Sequence, residues 1–383
     1  MSESTRVLIA IDWYRPAHKA GGPITSIENL VQLMADVPQL QLYIVCGVFD
    51  YGETHALDVP QETWVNVGGA QVQYWHPKKL GFQQWMGIIQ RLRPDVIHLQ
   101  GIWSSRFSIL PLFAAKRYQK AKVVISPRGM LTPQALQQRG GQKLLVSLLL
   151  KCLGLYKGVV FHSTNDQETQ EIQRFRGGAK VVQIANVPRD LGLGALVTTS
   201  STPHQLGVLR WLFVGRLSPE KNPLLLLDAL KLLSFPTQGY FIGGSNNRGY
   251  MEQFKQKLSQ LPAAHQVSYV GEQTVAQIQE FLHWTHVLIN TSVSENFGHA
   301  MAEALSAGVP IVVGPNTPWQ QLWEDKAGVL TEYSVGGFAE AIAQLNALNH
   351  DEFQAFQAGA AKRFATQCKL EDSKKDYIVL YLG

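Results

Sequence analysis

The sequence predicts an α/β protein with two Rossmann-like, doubly wound domains, each a parallel sheet covered by helices on both faces. Short strand-like apolar runs alternate with longer helical patterns along the whole chain, which is typical of βα units. The alternation is interrupted once, by a stretch rich in Gly, Thr, Ser and Pro. A length of 383 residues also fits two domains of about 100 to 200 residues each.

The first predicted domain covers residues 1–190. Its strand-length apolar runs lie at 6–12, 41–46, 96–99, 123–126, 158–161 and 181–184, and helical patterns between them include 24–34, 107–119 and 167–175. Residues 191–207 have no period of their own and are predicted to form a linker.

The second predicted domain covers residues 208–365 and repeats the alternation. Strands are predicted at 209–214, 240–242, 267–270, 287–290 and 310–313, with helices at 223–233, 250–261, 275–283 and 297–307. We expect a C-terminal helix over 366–383 to pack back on the first domain. Because parallel sheets bind ligands beyond the carboxyl ends of their strands, the expected site is a cleft between two facing domains.

Composition excludes several classes of protein. Hydrophobic residues make up 45 % and charged residues 16 %, so the chain is not disordered, and a net charge of +5 is too weak to indicate nucleic-acid binding. The widely spaced Cys46, Cys152 and Cys368 form neither a disulfide framework nor a metal motif, which favours a reducing, cytoplasmic compartment. The N-terminal apolar run 7–11 has the length of a strand and not of a signal peptide, and no stretch has the length of a membrane span.

Three strand ends in the second half are candidate ligand contacts. The segment 214–223 leaves a strand through Gly215 and places Arg216 and Lys221 where a diphosphate could bind, although a solvated basic turn is the commoner explanation of such a segment alone. Gly243 lacks a Cβ and permits close approach of a ligand, and the backbone near Val270 could meet a base. Ordinary turns explain these last two equally well.

The strongest motif is the segment 294–305, in which Glu295 and Glu303 stand eight residues apart. On a helix that spacing corresponds to roughly 12 Å and some 80° of rotation, so both carboxylates could face one extended ligand. The amides of Asn296, Phe297 and Gly298 at the expected helix N-terminus attract a phosphate. The alternative is a helix cap followed by an exposed glutamate, but the apolar neighbours of Glu303 disfavour it.

With these motifs, the sequence resembles glycosyltransferase family 4 over essentially its whole length and most specifically in its second half. The resemblance implies the GT-B fold and a retaining, nucleotide-sugar-dependent transferase. It also implies that Glu303 contacts the nucleotide ribose and Glu295 the donor sugar, while Arg216 and Lys221 bind the diphosphate. The backbone near Phe297 and Gly298 would contact phosphate and sugar, and His299 stands where the family often has an aliphatic residue.

The first half supplies further candidates. His18 precedes the paired Gly21 and Gly22 at a strand-to-helix turn, which permits close approach of a phosphate or sugar but can also be purely conformational. In the family this loop lies over the cleft, which favours a functional role. The sequence has no GxGxxG motif, which disfavours a dinucleotide dehydrogenase.

Acceptor contacts are predicted at the ends of two strands in this half. His98 and Gln100 lie on one face of a strand, followed by Trp103, and Arg128 ends the next strand. Many relatives carry a second histidine at the position of Gln100, so this chain lacks any proton-transfer role there. His98 is more simply explained as a structural histidine, and Arg128 either pairs with an anionic group or is an exposed surface residue.

Together with these motifs, the resemblance implies the transfer of a hexose from a nucleoside-diphosphate sugar to a hydroxyl of a glycan or lipid-linked acceptor, in polysaccharide or glycoconjugate synthesis. The catalytic residues would be Arg216, Lys221 and Glu295, which with helix amides offset the leaving-group charge. No Asp-x-Asp motif or metal-ligand cluster occurs, so we expect neither a divalent metal nor a cofactor. No carboxylate nucleophile is evident either, and the resemblance implies internal-return-like retention. The alternatives are an epimerase or phosphorylase of the same architecture, or an inactive sugar-nucleotide-binding module.

The net charge is unevenly distributed along the chain. Residues 96–165 contain ten basic and no acidic residues, interleaved with Trp103, Phe107 and the apolar run 144–150. Such a stretch could rest on an anionic membrane surface, where each Lys or Arg contributes about 1 kcal/mol, and a solvated helix face is the alternative. The ten are Arg106, Lys116, Arg117, Lys120, Lys122, Arg128, Arg139, Lys143, Lys151 and Lys157.

Overall fold

The computed structural model describes residues 4–132, 135–136, 150, 153–189 and 207–383. The chain divides into two compact units, which we call the first unit (Met1–Val187 with Leu370–Gly383) and the second unit (Pro188–Lys369). Each is built on a largely parallel sheet with helices, so the predicted fold class is confirmed. The predicted linker lies outside the described residues except for its last residue, Gly207.

The described sheet of the first unit has the strand order β3-β4-β2-β1-β5-β6-β7-β8. All neighbours are parallel except β3 and β4, which form an antiparallel pair. The order reverses between β1 and β5, and this switch point is where doubly wound sheets bind ligands. The strands are β1 Thr5–Ala10, β2 Leu40–Gly47, β3 Trp64–Val67, β4 Ala70–Trp75, β5 Val96–Gln100, β6 Lys122–Ser126, β7 Val160–Ser163 and β8 Lys180–Gln183.

Helices cover both faces of this sheet. Alternate residues of β1 enter two different cores: Leu8 and Ala10 pack on one face, and Val7 and Ile9 on the other, as the two-residue period of a strand requires. The helices before the second unit are α1 Gly22–Leu33, α2 Phe82–Leu92, α3 Leu110–Tyr118, which follows a π-helical turn at Ser105–Ile109, and α4 Asp166–Phe175.

The second unit has a wholly parallel described sheet in the order β11-β10-β9-β12-β13-β14, with its switch point between β9 and β12. Its strands are β9 Leu209–Val214, β10 Thr237–Ile242, β11 His265–Gly271, β12 Val287–Asn290, β13 Ile311–Val313 and β14 Gly328–Leu330. Its helices are α5 Pro223–Leu230, α6 Arg248–Ser259, α7 Val275–Trp284, α8 His299–Ser306, α9 Val335–Asn346 and α10 His350–Gln367.

The last helix, α11 Leu370–Leu382, belongs to the first unit, as expected from the sequence. Tyr377, Leu380 and Tyr381 are buried in the same core as Val7 and Ile9 of β1. Helix α11 therefore completes the core that β1 also lines.

One expectation about elements is wrong, and several elements were missed. The helix predicted at 297–307 begins only at His299, because Gly298 has a φ of +78°, in the left-handed region, and acts as its N-cap. Several elements were not predicted at all: β3, β4, α2, β14, α9 and α10. Within the described residues, no helix is both long enough and apolar enough to span a membrane.

Candidate functional site

The switch point of the second sheet brings two predicted catalytic residues together. Lys221 lies in the loop after β9 and Glu295 in the loop after β12, and these strands are neighbours in the sheet. The Nζ of Lys221 forms an ion pair with Oε1 of Glu295. Both side chains are largely buried, with 25 % and 11 % of their surface exposed, so the pair is screened less by water than a surface salt bridge.

Two polar residues further orient the Glu295 carboxylate. Ser292 Oγ donates to Oε1 at 2.7 Å and Asn290 Nδ2 donates to the same oxygen at 3.3 Å. Among the described residues, the second oxygen, Oε2, has no hydrogen-bond partner. Glu295 is thus held on one oxygen and can accept a hydrogen bond from a ligand on the other. Sequence reasoning did not identify Asn290 or Ser292.

The loop that carries Glu295 is supported by the segment after β13. The Glu295 amide donates to Asn316 O at 2.9 Å, and Asn316 Nδ2 donates to Val293 O at 3.1 Å. The indole of Trp319, which is fully buried, donates to Phe297 O at 2.8 Å. Asn316 and Trp319 were also not identified from the sequence, although the Pro and Asn residues around them are typical of turns.

The basic turn after β9 has a positive local field. Arg216 is exposed, and its backbone neighbour Leu217 donates to Gly244 O at 2.8 Å. The pKa of Glu220 in this turn is lowered, first by the nearby Ser218 hydroxyl and in part by the charges of Arg216 and Lys221. The two cations therefore act on the same small region, as an anion site requires.

The glycines at these strand ends have a steric role. Gly243 has a φ of +137°, and a Cβ there would lie 2.0 Å from the carbonyl oxygen of Gly215. A Cβ on Gly244 would lie 2.1 Å from Oε1 of Glu272. The close approach of the ends of β9 and β10 is therefore enough to require glycine at position 243, without any ligand. At the next strand end, Gln273 Nε2 donates to Val270 O at 2.6 Å, so this carbonyl is already engaged.

Glu303 is buried in α8, as its apolar neighbours predicted, and its Oε1 lies 3.5 Å from Nη1 of Arg189. Arg189 was not identified from the sequence. Since the helix begins at His299, Glu295 lies outside it, and the 12 Å helical spacing expected between the two glutamates does not apply. For the same reason the amides of Asn296 and Phe297 precede the helix, and its first-turn amides belong to His299 and the residues after it.

The ring of His299 packs edge-on against Phe297, with centroids 5.0 Å apart. Phe297 is in turn fixed by Trp319 through the hydrogen bond to its carbonyl. The predicted donor-contact segment 295–299 is therefore one continuous loop with defined supports at both ends.

In the first unit, the glycine turn is built on a buried carboxylate. Asp50 Oδ2 accepts from the His18 amide at 3.0 Å and Oδ1 accepts from the Lys19 amide at 3.1 Å. Gly21 has a φ of +68° with open space where a Cβ would lie, and Gly22 begins α1. The His18 side chain is 62 % exposed. This turn is accessible and its backbone is fixed.

His98 lies in the core. It is fully buried, its Nδ1 hydrogen-bonds the Tyr381 hydroxyl at 2.8 Å, and its Nε2 hydrogen-bonds Ser126 Oγ at 2.7 Å. The same Ser126 hydroxyl lies 2.6 Å from Nδ1 of His162. Burial, with smaller effects of neighbouring His162 and Arg128, holds the pKa of His98 well below its usual value. These contacts match the structural role that we favoured for His98.

The other acceptor-side candidates, Gln100, Trp103 and Arg128, lie around the loop that follows β6. Arg128 Nε donates to Gln100 Oε1 at 2.8 Å, and Trp103 Nε1 donates to Met130 O at 3.0 Å. Beside them, at the switch point of the first sheet, Asp12 follows β1 and accepts a hydrogen bond from Ser104 Oγ at 2.7 Å. Burial raises the pKa of Asp12. Asp12 was not singled out from the sequence.

The predicted basic stretch can be placed only in part. Arg139, Lys143, Lys151 and residues 144–149 lie outside the described residues. Lys122 donates from Nζ to Leu380 O at 2.7 Å and so helps to hold α11. In the described part of the chain, no cluster of three or more His, Cys, Asp or Glu side chains could hold a metal ion.

Comparison with known proteins gives a family match in the second half. A family described as "Glycosyl transferases group 1" matches residues 201–363, which include the Lys221–Glu295 pair, Arg216 and Glu303. No curated protein sequence matches the chain. The family resemblance of this half therefore coincides with the part of the chain that carries the strongest motifs.

Solved structures resemble the chain over nearly its full length. Anabaena HepE in complex with UDP and glucose superposes with a TM-score of 0.74 at 15 % identity, over 98 % of this chain and 99 % of that one. Sucrose-phosphate synthase from Thermosynechococcus elongatus gives 0.74 at 16 % identity, over 99 % and 98 %. A glycosyltransferase from Rickettsia africae gives 0.70 at 14 % identity, over 100 % and 98 %. The chain has the GT-B fold of these proteins.

Proposed function

We propose that this chain is a retaining glycosyltransferase that moves a hexose from a nucleoside-diphosphate sugar to a hydroxyl of a glycan or lipid-linked acceptor. The observation that carries the proposal is the Lys221–Glu295 ion pair beside Arg216 at the switch point of the second sheet. The glycosyltransferase group 1 match over residues 201–363 supports it, as do the UDP and UDP-glucose bound to HepE.

In this proposal Arg216 and Lys221 bind the donor diphosphate. A lysine ammonium has three N–H donors, so Lys221 can keep its contact with Glu295 and still donate to a phosphate oxygen. As the glycosidic bond breaks, negative charge grows on the departing diphosphate, and two fixed cations stabilise it without a metal ion. The loop amides from Asn296 to His299 add dipoles at the same place.

Glu295 and Glu303 bind the two ends of the donor, the sugar and the ribose. The unengaged Oε2 of Glu295 accepts a hydrogen bond from a hydroxyl of the sugar. The ion pair and two hydrogen bonds on Oε1 fix the orientation of the carboxylate. Glu303 accepts hydrogen bonds from the ribose hydroxyls, and Arg189 forms an ion pair with this buried carboxylate. Gly243, Val270 and Gly215 complete the donor site at the strand ends.

For the transfer itself we propose substitution on one face of the sugar. The bond from the anomeric carbon to the diphosphate oxygen breaks, the acceptor oxygen bonds to the same face, and its proton passes to the departing phosphate. No protein base is then required. The first unit binds the acceptor, with Gly21 and Gly22 of the accessible turn offering backbone to the ligands.

The test is a thermal-shift and calorimetric screen of the full chain with UDP-, GDP- and ADP-sugars, followed by assays of transfer and donor hydrolysis. One nucleotide should raise the melting temperature, and Lys221→Ala should lower turnover by about a hundredfold or more. Glu303→Ala should weaken binding of that nucleotide. Lys257→Ala, which removes an ion pair with Asp228 on the α5–α6 side, is the charge-matched control.

Three results would contradict the proposal. A normal rate in Lys221→Ala refutes its role at the diphosphate. Interconversion of the donor sugar without acceptor indicates an epimerase. Binding of the nucleotide sugar without transfer or hydrolysis across the acceptor panel indicates an inactive binding module.

We also propose that the enzyme works at the cytoplasmic face of a membrane, on account of the basic stretch at 96–165. The exposed Arg117 and Lys120 lie at the end of α3 and just after it in the first unit. The chain should float with liposomes containing anionic lipid at low salt, and the association should weaken as salt is raised. Failure to float at low salt contradicts this location.

A further inference from the structure

Arg128 is a partly buried cation whose hydrogen-bond partners are neutral. Its Nε donates to Gln100 Oε1 at 2.8 Å, and its Nη1 donates to Asn186 Oδ1 at 2.5 Å. None of the ion pairs among the described residues includes Arg128. Two side chains therefore fix the orientation of the guanidinium without neutralising its charge.

The buried carboxylate in this region is already engaged. Glu168 accepts from the Gly129 amide at 2.8 Å, and from the amide and hydroxyl of Thr164, each at 2.8 Å. It forms no ion pair with Arg128. Glu168 therefore fixes the loop after β6 and leaves the guanidinium without a counterion.

Gln100 contributes a second donor. Because its Oε1 accepts from Arg128, the orientation of the amide is fixed and its Nε2 must be the donor atom. This Nε2 is buried and has no hydrogen-bond partner in the described structure, and Gln100 is only 4 % exposed. A buried donor without an acceptor costs about 1 to 3 kcal/mol, so the site lacks an acceptor atom.

The backbone holds Arg128 in an uncommon conformation. Its φ is +55°, and that of Gly129 is +74°, so two consecutive residues lie in the left-handed region. Trp103 fixes the end of this loop through Met130 O. Non-glycine residues with positive φ are strained and persist at ligand sites where the surroundings impose them. Arg128 follows β6, and its partner Gln100 ends β5 at the switch point of the first sheet.

The histidines behind Arg128 do not compensate for the missing counterion. Burial lowers the pKa of His162 to about 3, and the positive charge of Arg128 contributes to this shift and to that of His98. Both imidazoles are therefore neutral at physiological pH. The guanidinium is the charged group of this cluster, and its field is unopposed by its contacts.

The geometry points to an oxyanion site in the first unit, in which the Arg128 guanidinium and Gln100 Nε2 together bind a phosphate or carboxylate group. Both are donors, so a neutral hydroxyl would satisfy them less well than an anionic oxygen, with which an arginine makes its strongest hydrogen bonds. The further claim that this group belongs to the acceptor rests on the proposed function. The acceptor would then be an acidic sugar, a sugar phosphate or a phosphate-linked lipid.

The test is titration of the full chain with inorganic phosphate and, separately, with acetate, followed by NMR or calorimetry, with and without saturating UDP. Gln100→Glu should abolish anion binding, since it places a carboxylate oxygen where Nε2 lies while it keeps the bond to Arg128. Arg128→Gln should weaken binding by about tenfold or more. Arg91→Gln, the same change at an exposed position of α2, should bind like the wild type.

The outcomes separate this site from the donor site. Anion binding that is lost in Gln100→Glu and retained in Lys221→Ala locates the site in the first unit, whether or not UDP binds. Preference for phosphate or for acetate identifies which oxyanion the site takes. Equal binding by the wild type, Arg128→Gln and Gln100→Glu, or no binding of either anion, overturns the inference. Failure of UDP to bind, with anion binding intact, contradicts only the proposed donor site.

If transfer activity is found, acidic acceptors extend the test. Arg128→Gln should raise KM for a phosphorylated or carboxylated acceptor by about tenfold or more and leave KM for the donor unchanged. A merely structural role would lower kcat with all acceptors alike. An unchanged KM for the acidic acceptor would contradict the assignment of the anion to the acceptor.

Discussion

Gly243 sets the spacing between β9 and β10 at the edge that carries the basic turn. Gly243→Ala should destabilise the protein by about 2 kcal/mol or more, because the new Cβ meets the Gly215 carbonyl at 2.0 Å and φ is +137°. Gly249→Ala, inside α6, should be neutral or stabilising, because a Cβ there would lie 3.6 Å from Asn247 Oδ1, an ordinary van der Waals contact. Chemical denaturation of both variants measures the difference. Equal stability of the two would contradict the steric role of Gly243.

Lys221 and Glu295 were predictable as site residues, and the contact between them was not. Lys221 and Glu295 follow strands and belong to a recognisable motif, so residue type and position identify them. Their ion pair joins residues that are far apart in sequence, and it exists because β9 and β12 are neighbours in the sheet. The same holds for Arg189 with Glu303, and for Arg128 with Asn186. One sequence does not specify which strand ends will meet.

At the scale of elements, the β3–β4 pair shows what a search for βα units overlooks. Trp64–Val67 and Ala70–Trp75 pair antiparallel across the turn of Gly68 and Gly69, both of which have positive φ. Two glycines between alternating strands are a hairpin signal, but a hairpin does not fit a regular βα alternation. The start of α8 was misplaced for a different reason: helical residues continue the pattern on both sides of Gly298, and only its left-handed backbone sets the boundary.

The buried histidines of β5 and β7 predict acid sensitivity of the first unit. The folded pKa of His162 is about 3, below the unfolded value of about 6.5, and that of His98 is also lowered. Below pH 6.5 the unfolded chain therefore binds protons that the folded chain does not. Each histidine should remove about 1.4 kcal/mol of stability per pH unit as pH falls, whereas stability is unaffected by these groups above that range.

Unfolding midpoints at pH 7.5 and pH 5 measure this effect. The drop should be smaller in His162→Gln than in the wild type, and His55→Gln, at an exposed position, should match the wild type. His265 in the second unit has a lowered pKa for the same reason, burial, so the comparison between variants isolates the contribution of His162. An identical drop in all three proteins would show that His162 does not carry the pH dependence.

At the scale of the whole molecule, the first unit is discontinuous in sequence. Its last element, α11, follows the entire second unit, and it adds three buried side chains to the core of β1 together with the hydroxyl that hydrogen-bonds His98. The stability of the core around β1 therefore depends on α11, which follows the second unit in sequence. The sequence suggested this return of the last helix, and the burial of Tyr377, Leu380 and Tyr381 explains it.

Truncation after Lys369 should therefore destabilise the first unit selectively. Loss of three buried side chains at about 1.5 to 3 kcal/mol each removes several kcal/mol, and it leaves His98 Nδ1 without its partner. In differential scanning calorimetry, the transition that a bound nucleotide raises should be unchanged, because the ligand stabilises only the unit that binds it. The other transition should fall or disappear. The control is Val379→Ala, at a position 68 % exposed on α11, which should shift neither transition. A truncation that lowers only the nucleotide-sensitive transition would contradict the assignment of α11 to the first unit.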